Sequence, residues 1–462
     1  MNKEVSAVLE KKFEKYAEEL KLLVDKKSVR GKPENGFPFG KDCAEVLDVA
    51  EGILASHGFK MNNYGYYAGD ADLGKEPNLM LLAHLDVVPE GDGWTRQPYS
   101  MTQEGSILYG RGTTDDKGAA LVCIYAMDAV REVFGEPKKG VRLVLGCAEE
   151  TGSEDMEHYF SVRPTLEYTL SPDAQYPLIN IEKGRFAPFY EKKIARTDKK
   201  VRIERICGGV TPNIVPGKAG ALVSGADRDE LAKLSSDTAE KTGTRCTVTN
   251  EENGVYVLFE GQTAHGSTPE LGVNAQTALI KALAQLDTDL TETLRFLEKT
   301  FPHGETDGES LGIAQGDAES GELTLNFGVL SFDGETLVCN YDARCPVCAS
   351  GMSVVKPSDE VFASAGFVSS GDNQLRPAHV VDKDSPLVKE ALAVYEDMTG
   401  NKGECLAIGG GTYVHDIPGG IAFGIEFPGK DYHMHGADEF ADIDEMLLTA
   451  KMYAQIIIDL CY

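Results

Sequence analysis

The sequence contains no long uninterrupted apolar run. No apolar stretch among its 462 residues approaches the roughly 18–20 residues that a helix needs to span a bilayer. The first residues place apolar side chains at helical spacing with Lys and Glu between them, which predicts an amphipathic surface helix rather than a signal peptide. We therefore expect a cytoplasmic protein whose ten cysteines are reduced thiols.

Positive charge is also scarce. The chain has 45 Lys and Arg against 74 Asp and Glu, a formal net charge of −29. This excludes nucleic acid and anionic membranes as expected partners, because phosphate groups would repel the chain. A second CxxC pair is lacking, so Cys345 and Cys348 are interpreted as ordinary lid or core cysteines rather than as a zinc or redox motif.

The hydrophobic pattern predicts an α/β protein with an insertion. Helices and buried strands alternate up to about residue 180, which predicts a mixed, mostly parallel sheet sandwiched by helices. The hydrophobic pattern then becomes typical of β-strands. The alternation of helices and strands returns near the C-terminus, with a predicted strand at Ile421–Phe427. The predicted domains are 1–185 and 381–462 for the catalytic domain and 186–380 for an inserted α+β domain.

Two apolar runs end abruptly in ionisable side chains. One leads into His84 and Asp86, and the other leads into Glu149 and Glu150. Ligands of open α/β sheets bind at the carboxyl ends of the strands, so these side chains predict a metal site at that edge. His84 is interpreted as a ligand whose other ring nitrogen is held by Asp86. The alternative is a buried histidine followed by a capping aspartate.

The adjacent glutamates predict both a ligand and a base. Two charges at the end of a buried strand are costly unless a cation compensates them. One of Glu149 and Glu150 can bind a metal ion while its neighbour removes a proton from the attacking water. The alternative is a glutamate-rich surface loop.

Three further segments carry donors of the same kind. Asp115-Asp116 lies in a Gly-flanked turn before a predicted helix, Asp173 follows a short strand, and two histidines, His433 and His435, come late in the chain. Helix capping accounts for one aspartate at such a turn, but two are more than capping requires. Five donors in the order His, Asp, Glu, Asp, His suffice for two metal ions that share a carboxylate. Zinc suits this set, with manganese or cobalt as alternatives.

Six separated motifs follow one another along the chain. They are Gly91–Trp94, Gly110–Gly118, Thr211–Pro216, Ala264–Pro269, Asn340–Arg344 and Gly409–Tyr413. Together they resemble the dizinc aminoacyl-hydrolase family that includes glutamate carboxypeptidase, aminoacylase, succinyl-diaminopimelate desuccinylase and bacterial dipeptidases. The resemblance runs over nearly the whole chain and is closest to the dipeptidase V type.

The resemblance implies a role for each donor in a two-zinc centre. It makes Asp115 the bridging carboxylate and Glu149 the catalytic base, and it implies a cis peptide bond between Asp115 and Asp116. The remaining implied ligands are two histidines, one for each ion, and two carboxylates: His84, His435, Glu150 and Asp173. His435 is preferred to His433 because the family's histidine lies four residues before a glutamate, here Glu439.

The same resemblance implies that the inserted domain is a lid that binds substrate. His265 would help to bind the tetrahedral oxyanion, Arg344 would anchor the substrate's C-terminal carboxylate, and Asn213 would add a hydrogen bond. Gly410 is also expected to be a substrate-binding residue. From chemistry alone, His265 is equally a capped loop residue and Arg344 a member of a surface salt bridge. The chain also departs from the family, since Val414-His415 stands where these dipeptidases usually have Ala-Arg.

The predicted function is that of a metallo-dipeptidase acting on dipeptides with free amino and carboxyl termini. An N-acyl-amino-acid amidohydrolase or a carboxypeptidase is the alternative within the family, because those substrates also present a free carboxylate. A silent metal- or peptide-binding protein is the alternative of another class, and the intact Glu149 argues against it. A monomer is favoured over a homodimer, because the two-part lid of such dipeptidases replaces the partner subunit of shorter relatives.

Overall fold

The chain forms two units, each with its own hydrophobic core, in a computed structural model that describes residues 1–371 and 373–462. The first unit comprises Met1–Ile181, Val380–Leu406 and Gly411–Tyr462. The second unit comprises Glu182–His379 and Ala407–Gly410. Those last four residues lie within the range 381–462 that the sequence assigned to the first domain.

The helices begin and end as follows: α1 Lys3–Lys12, α2 Tyr16–Val24, α3 Lys41–Ser56, α4 Lys117–Phe134, α5 Glu154–Val162, α6 Arg228–Thr242, α7 Ala275–Leu283, α8 Thr291–Thr300, α9 Lys356–Ser364, α10 Pro386–Thr399 and α11 Ile443–Cys461.

The strands are β1 Met61–Asn63, β2 Ala68–Leu73, β3 Pro77–His84, β4 Thr102–Glu104, β5 Ile107–Tyr109, β6 Gly140–Gly146, β7 Tyr168–Ser171, β8 Ala174–Gln175, β9 Leu178–Glu182, β10 Gly184–Phe186, β11 Phe189–Lys193, β12 Arg202–Gly208, β13 Lys218–Ser224, β14 Arg245–Glu251, β15 Gly254–Glu260, β16 Gly316–Asp317, β17 Gly321–Glu322, β18 Thr324–Phe332, β19 Thr336–Cys345, β20 Val368–Ser369, β21 His379–Val380, β22 Cys405–Ile408, β23 Gly420–Ala422, β24 Ile425–Glu426 and β25 Phe440–Asp442.

The first unit is built on a mixed sheet with the order β1-β2-β6-β3-β7-β23-β9-β21, and β22 pairs with β9. Strands β6, β3, β7 and β23 run parallel at its centre. Strands β2 and β9 pair antiparallel with their neighbours. The predicted fold class, a mostly parallel sheet covered by helices, is therefore confirmed.

The central strand β3 shows why this part of the chain forms a parallel sheet. Leu79–Ala83 is a continuous apolar run, and each of its side chains is fully buried. Strands with both faces covered need such runs. Helix α4 packs against β3, α1 and α11, and every one of its residues from Lys117 to Val130 is buried. A rigid scaffold of this kind fixes the positions of the side chains at its strand ends.

The second unit has an antiparallel sheet with the order β14-β15-β13-β12-β18-β19-β11-β20, and β10 pairs with β19. Helices α6 and α7 pack against it. The register places Thr324 opposite Arg344, Asn326 opposite Asp342, and Arg185 opposite Arg344. Since side chains alternate between the faces of a strand, these five residues share one side of the sheet, here called the polar face.

One predicted strand is wrong in its extent. Ile421–Phe427 was expected to be a single strand, but the structure divides it into β23 and β24. Strand β23 pairs with β7 and β9 in the large sheet, whereas β24 pairs with β8 in a separate two-stranded sheet. A continuous apolar run does not reveal that its two halves have different partners.

Among the described residues, none of the helices combines the length and the apolar character that crossing a membrane requires.

Candidate functional site

Three neighbouring strands bring ionisable side chains to one edge of the first unit's sheet. His84 is the last residue of β3, is fully buried, and lies in register with Gly146 at the end of β6. Glu149 and Glu150 follow β6 in a 3₁₀ turn, and Asp173 follows β7. The parallel arrangement therefore places all four side chains at the carboxyl edge, as the sequence predicted.

A tight turn before α4 adds Asp115. A side chain at Gly118 would place its Cβ only 2.0 Å from the Thr113 carbonyl oxygen, so glycine lets the first turn of α4 pack against the preceding loop. The Asp115–Asp116 peptide bond is cis, as the resemblance implied. Asp115 is 5% exposed at the end of this turn.

The Asp115 carboxylate lies between two histidines. Its Oδ1 is 3.0 Å from His84 Nε2, and its Oδ2 is 2.8 Å from His435 Nε2. Glu150 Oε1 lies 3.0 Å from the same nitrogen of His435, and Asp173 Oδ2 lies 3.7 Å from His84 Nε2. Each histidine is thus accompanied by one carboxylate of its own and by one oxygen of Asp115.

The donor atoms lie close enough together to hold a metal ion. Ligand atoms of His84, Asp115 and Glu150 lie within 4.8 Å of one another, as do those of His84, Glu149 and Asp173. His84 Nε2 is buried and has no hydrogen bond of acceptable geometry within the described part of the chain, although Asp115 Oδ1 is only 3.0 Å away. A buried ring nitrogen without a hydrogen bond is unusual. Its position beside carboxylate oxygens suits a bound cation.

The pKa shifts within the cluster also indicate that it needs a nearby positive charge. Burial raises the pKa of Glu149 well above its usual range, and the negative charges of Asp173 and Glu150 add to this. Burial also raises the pKa of Glu150 to about 7, and the Asp115 carboxylate contributes to the shift. Burial would lower the pKa of His435, but its contacts with Asp115 and Glu150 outweigh that effect and raise it. Carboxylates crowded in this way need positive charge nearby to remain ionised together.

Asp86 orients the cluster in a way that differs from the prediction. The closest acceptor for His84 Nδ1 is the main-chain oxygen of Asp86 at 3.0 Å, whereas its carboxylate oxygen is 3.5 Å away. That carboxylate instead accepts hydrogen bonds from the main-chain N–H groups of Glu149 and Glu150, at 3.2 and 3.1 Å. Asp86 therefore connects the end of β3 to the turn that carries both glutamates.

Arg111 and Glu439 form a buried ion pair that the sequence analysis did not recognise as part of the site. Arg111 Nη1 donates to Glu439 Oε2 at 2.7 Å, and the two side chains are 1% and 0% exposed. Glu439 also accepts hydrogen bonds from the N–H groups of Gly112, Thr114 and Asp115. Arg111 Nη2 donates to the Gly436 carbonyl oxygen, next to His435. The pair thus ties the His435 loop to the Asp115 turn.

The sequence contained one usable signal for this pair. Arg111 lies inside the Gly110–Gly118 motif, and Glu439 served only as a landmark four residues after His435. A charged side chain in a segment expected to be buried requires a partner of opposite charge. Nothing local identifies that partner 328 residues away.

We expect Glu439→Gln to destabilise the first unit strongly. The substitution keeps the shape of the side chain but leaves the buried Arg111 guanidinium without a counter-charge. Breaking a buried pair in this way costs about 3 kcal/mol or more. Urea unfolding of the metal-free protein measures the loss.

Glu104→Gln is the matched control, because Glu104 pairs with Arg96 at 2.7 Å but is 60% exposed. It should leave the free energy of unfolding nearly unchanged, since exposed pairs contribute little. Equal effects of the two substitutions would contradict the structural role of Glu439.

Hydrogen bonds on the polar face of the second unit hold the Arg344 side chain in place. Its Nε and Nη2 donate to the two carboxylate oxygens of Asp342 at 3.0 and 2.9 Å, and its Nη1 donates to the Gly409 carbonyl oxygen at 2.6 Å. Asp342 is fully buried, and Arg344 is 8% exposed. The guanidinium group is therefore held firmly by the protein itself.

The same face holds the loops that contain Asn213 and His265. Asn326 donates to the carbonyl oxygens on either side of Asn213, at 2.8 and 2.9 Å. Thr324 donates to the Ser267 carbonyl oxygen at 3.1 Å, and Ser267 Oγ lies 2.6 Å from His265 Nδ1. A Cβ at Gly266 would lie 2.8 Å from the Asn213 Cα, so the two loops pack closely together. The structure thus gathers the residues predicted to bind substrate within the second unit.

The remaining predicted positions are placed as follows. Gly410 directly follows Gly409, whose carbonyl oxygen holds Arg344. His435, and not His433, is the histidine that contacts Asp115 and Glu150, while His433 Nδ1 lies 3.2 Å from the Ala437 carbonyl oxygen. His415, the departure from the family pattern, lies in the 3₁₀ turn Tyr413–Asp416 of the first unit and is 8% exposed.

Comparison with known proteins points to one family. The model of peptidase family M20/M25/M40 matches residues 80–459. Putative dipeptidase YtjP of Bacillus subtilis (strain 168) is 32% identical over 431 residues, covering 92% of this chain and 92% of that protein. Beta-Ala-Xaa dipeptidase of Lactobacillus delbrueckii subsp. lactis is 33% identical over 436 residues, covering 92% and 91%.

A solved structure shares the fold over the whole length. Human carnosine dipeptidase 1 superposes with a TM-score of 0.58 at 15% sequence identity, covering 98% of each chain. At this identity the likeness shows a common fold and nothing further.

Proposed function

Because the chain belongs to peptidase family M20/M25/M40, a family of metallopeptidases, we propose that it is a dipeptidase that uses two metal ions. The proposed substrates are dipeptides with a free amino and a free carboxyl terminus. Two relatives that cover more than nine-tenths of this chain carry the name dipeptidase, which supports this class of substrate.

The observation that carries the proposal is the Asp115 carboxylate between His84 and His435. Its two oxygens face different histidines, at 3.0 and 2.8 Å, as a bridging ligand requires. Asp173 accompanies His84, and Glu150 accompanies His435. We assign these five side chains as the ligands, with zinc as the proposed ion and manganese or cobalt as alternatives. Two such ions would lower the pKa of a water molecule and polarise the substrate's carbonyl group.

Glu149 is the proposed general base. Its carboxylate lies beside His84 and Asp173 but is not the carboxylate closest to either histidine. One Glu149 oxygen takes a proton from the attacking water, whose oxygen bonds to the peptide carbon. The same oxygen then gives that proton to the amine nitrogen as the C–N bond breaks. Asp86 keeps Glu149 in place through the main-chain hydrogen bond at 3.2 Å.

The second unit supplies the groups proposed to recognise the substrate. Arg344 is proposed to attract the terminal carboxylate through its positive charge. Asn213 is proposed to donate a further hydrogen bond to it, and Gly410 is proposed to line the same place. His265 is the proposed donor to the oxyanion.

Parallel assays of free and acetylated dipeptides test the proposed function. The protein loaded with zinc or manganese is incubated with alanyl dipeptides, β-alanyl dipeptides and their N-acetylated forms. Hydrolysis of the free dipeptides alone is the expected result. Hydrolysis of the acetylated forms alone would overturn the dipeptidase assignment in favour of an N-acyl-amino-acid amidohydrolase.

A further inference from the structure

A second arginine lies directly beside Arg344 on the polar face. Arg185 is opposite Arg344 in the pairing of β10 with β19. Arg185 Nε donates to Asp342 Oδ1 at 3.2 Å, the same oxygen that Arg344 Nε contacts at 3.0 Å. The two guanidinium groups therefore meet at one buried carboxylate.

The hydrogen bonds of the two arginines differ. Arg344 uses Nε, Nη1 and Nη2 to contact Asp342 and Gly409, so its two-pronged edge is already engaged by Asp342. Among residues 1–371 and 373–462, Arg185 has a side-chain hydrogen bond only through Nε. Four of its five N–H donors thus remain for a ligand, since a guanidinium group carries five. Its side chain is 39% exposed, whereas that of Arg344 is 9% exposed.

The charge at this place is also unbalanced. Asp342 is a single negative charge, fully buried, and the bidentate contact with Arg344 already neutralises it. Stability of the sheet therefore does not require a second arginine at Asp342. Arg185 adds a net positive charge with free donors on the same face of the sheet on which Asn326 and Thr324 hold the Asn213 and His265 loops.

We propose that Arg185 receives the terminal carboxylate of the substrate, with Asp342 and Arg344 holding it in position. The inference deepens the proposed function and rests on it, since it names the residue that selects substrates with a free C-terminus. Arg344 then contributes charge and rigidity, and Arg185 contributes the two parallel N–H groups that grip a carboxylate. Arg185 is in this sense a specificity-determining residue.

Kinetics with a dipeptide and its amide test the assignment. Alanyl-alanine and alanyl-alaninamide differ only in the C-terminal group, which is a charged carboxylate in the first and a neutral amide in the second. For Arg185→Gln we expect the KM for alanyl-alanine to rise about 10- to 100-fold, the loss typical of a charge-assisted pair, with kcat little changed. The kinetic constants for the amide should stay unchanged. Arg185→Lys keeps the charge but not the planar fork, so its KM for alanyl-alanine should lie between those of the wild type and of Arg185→Gln.

Arg295→Gln is the matched control. It removes the same charge from α8 of the same unit, where Arg295 is 58% exposed and pairs with Glu292. It should affect neither substrate. An equal loss on both substrates in Arg185→Gln, or no loss on either, would overturn the proposal.

A binding measurement separates this inference from the proposed function. Calorimetric titration with alanine and with alaninamide reports carboxylate recognition without any turnover. A wild-type preference for alanine that disappears in Arg185→Gln supports the role of Arg185 whatever reaction the enzyme catalyses. Hydrolysis of free dipeptides with an unchanged preference in the variant would leave the proposed function intact and reject Arg185.

Discussion

Glu149→Gln is expected to lower kcat by about 10³- to 10⁴-fold, because a general base that also returns the proton contributes at the upper end of acid–base catalysis. Glutamine has the same shape as glutamate but cannot accept the proton from water. The five assigned ligands are untouched, so both metal ions should remain bound. Steady-state kinetics together with metal analysis of the purified variant measure the two quantities independently.

Glu154→Gln is the control for this substitution. It makes the same chemical change five residues later, on a side chain that is 56% exposed and pairs with Arg30. Activity and metal content should both match those of the wild type. Near-normal turnover of Glu149→Gln would show that Glu149 is not the base, whereas loss of its metal ions would show that Glu149 acts as a ligand.

Asp115→Ala is expected to weaken binding at both metal positions by more than about 100-fold, since losing even a partner outside the ligand set costs 10- to 100-fold in metal affinity. The reason is geometric, because one Asp115 oxygen faces His84 and the other faces His435. Metal analysis after dialysis should find fewer than one ion per chain. Activity should be lost with the ions.

Variants at the two histidines show whether Asp115 is shared. His84→Ala and His435→Ala should each weaken one metal position and leave the other near its original affinity. Asp92→Ala, at an exposed loop position of the same unit, should retain both ions. Retention of two ions by Asp115→Ala would exclude a bridging role.

Much of the first unit follows from local patterns. The buried run before His84 and the run before Glu149 were recognisable as parallel strands because they are continuously apolar, and the structure places them side by side in register. Parallel strands end at a common edge, so the order of the chain was enough to predict that His84, Glu150 and Asp173 converge. The division between β23 and β24 was not predicted, because an apolar run in the sequence does not reveal which strands its two halves pair with.

The contacts on the polar face could not be predicted from the sequence. Arg344 was predicted from its motif to bind substrate, but the motif does not reveal that Asp342 and Gly409 already engage its guanidinium group. Arg185 carries no motif, and its relation to Arg344 arises only when β10 pairs with β19. Which arginine has free donors is therefore a property of the assembled sheet.

The sequence by itself determined the fold class, and it predicted the donor residues and their position at strand ends. These depend on the period of apolar side chains and on the chemical nature of single residues, which are local. Only the tertiary structure decided that each Asp115 oxygen faces a different histidine and that Asp86 binds the glutamate turn. It also showed that Glu439 ties two loops together from 328 residues away. Contacts between distant segments depend on how the elements pack, and no local pattern in the chain encodes them.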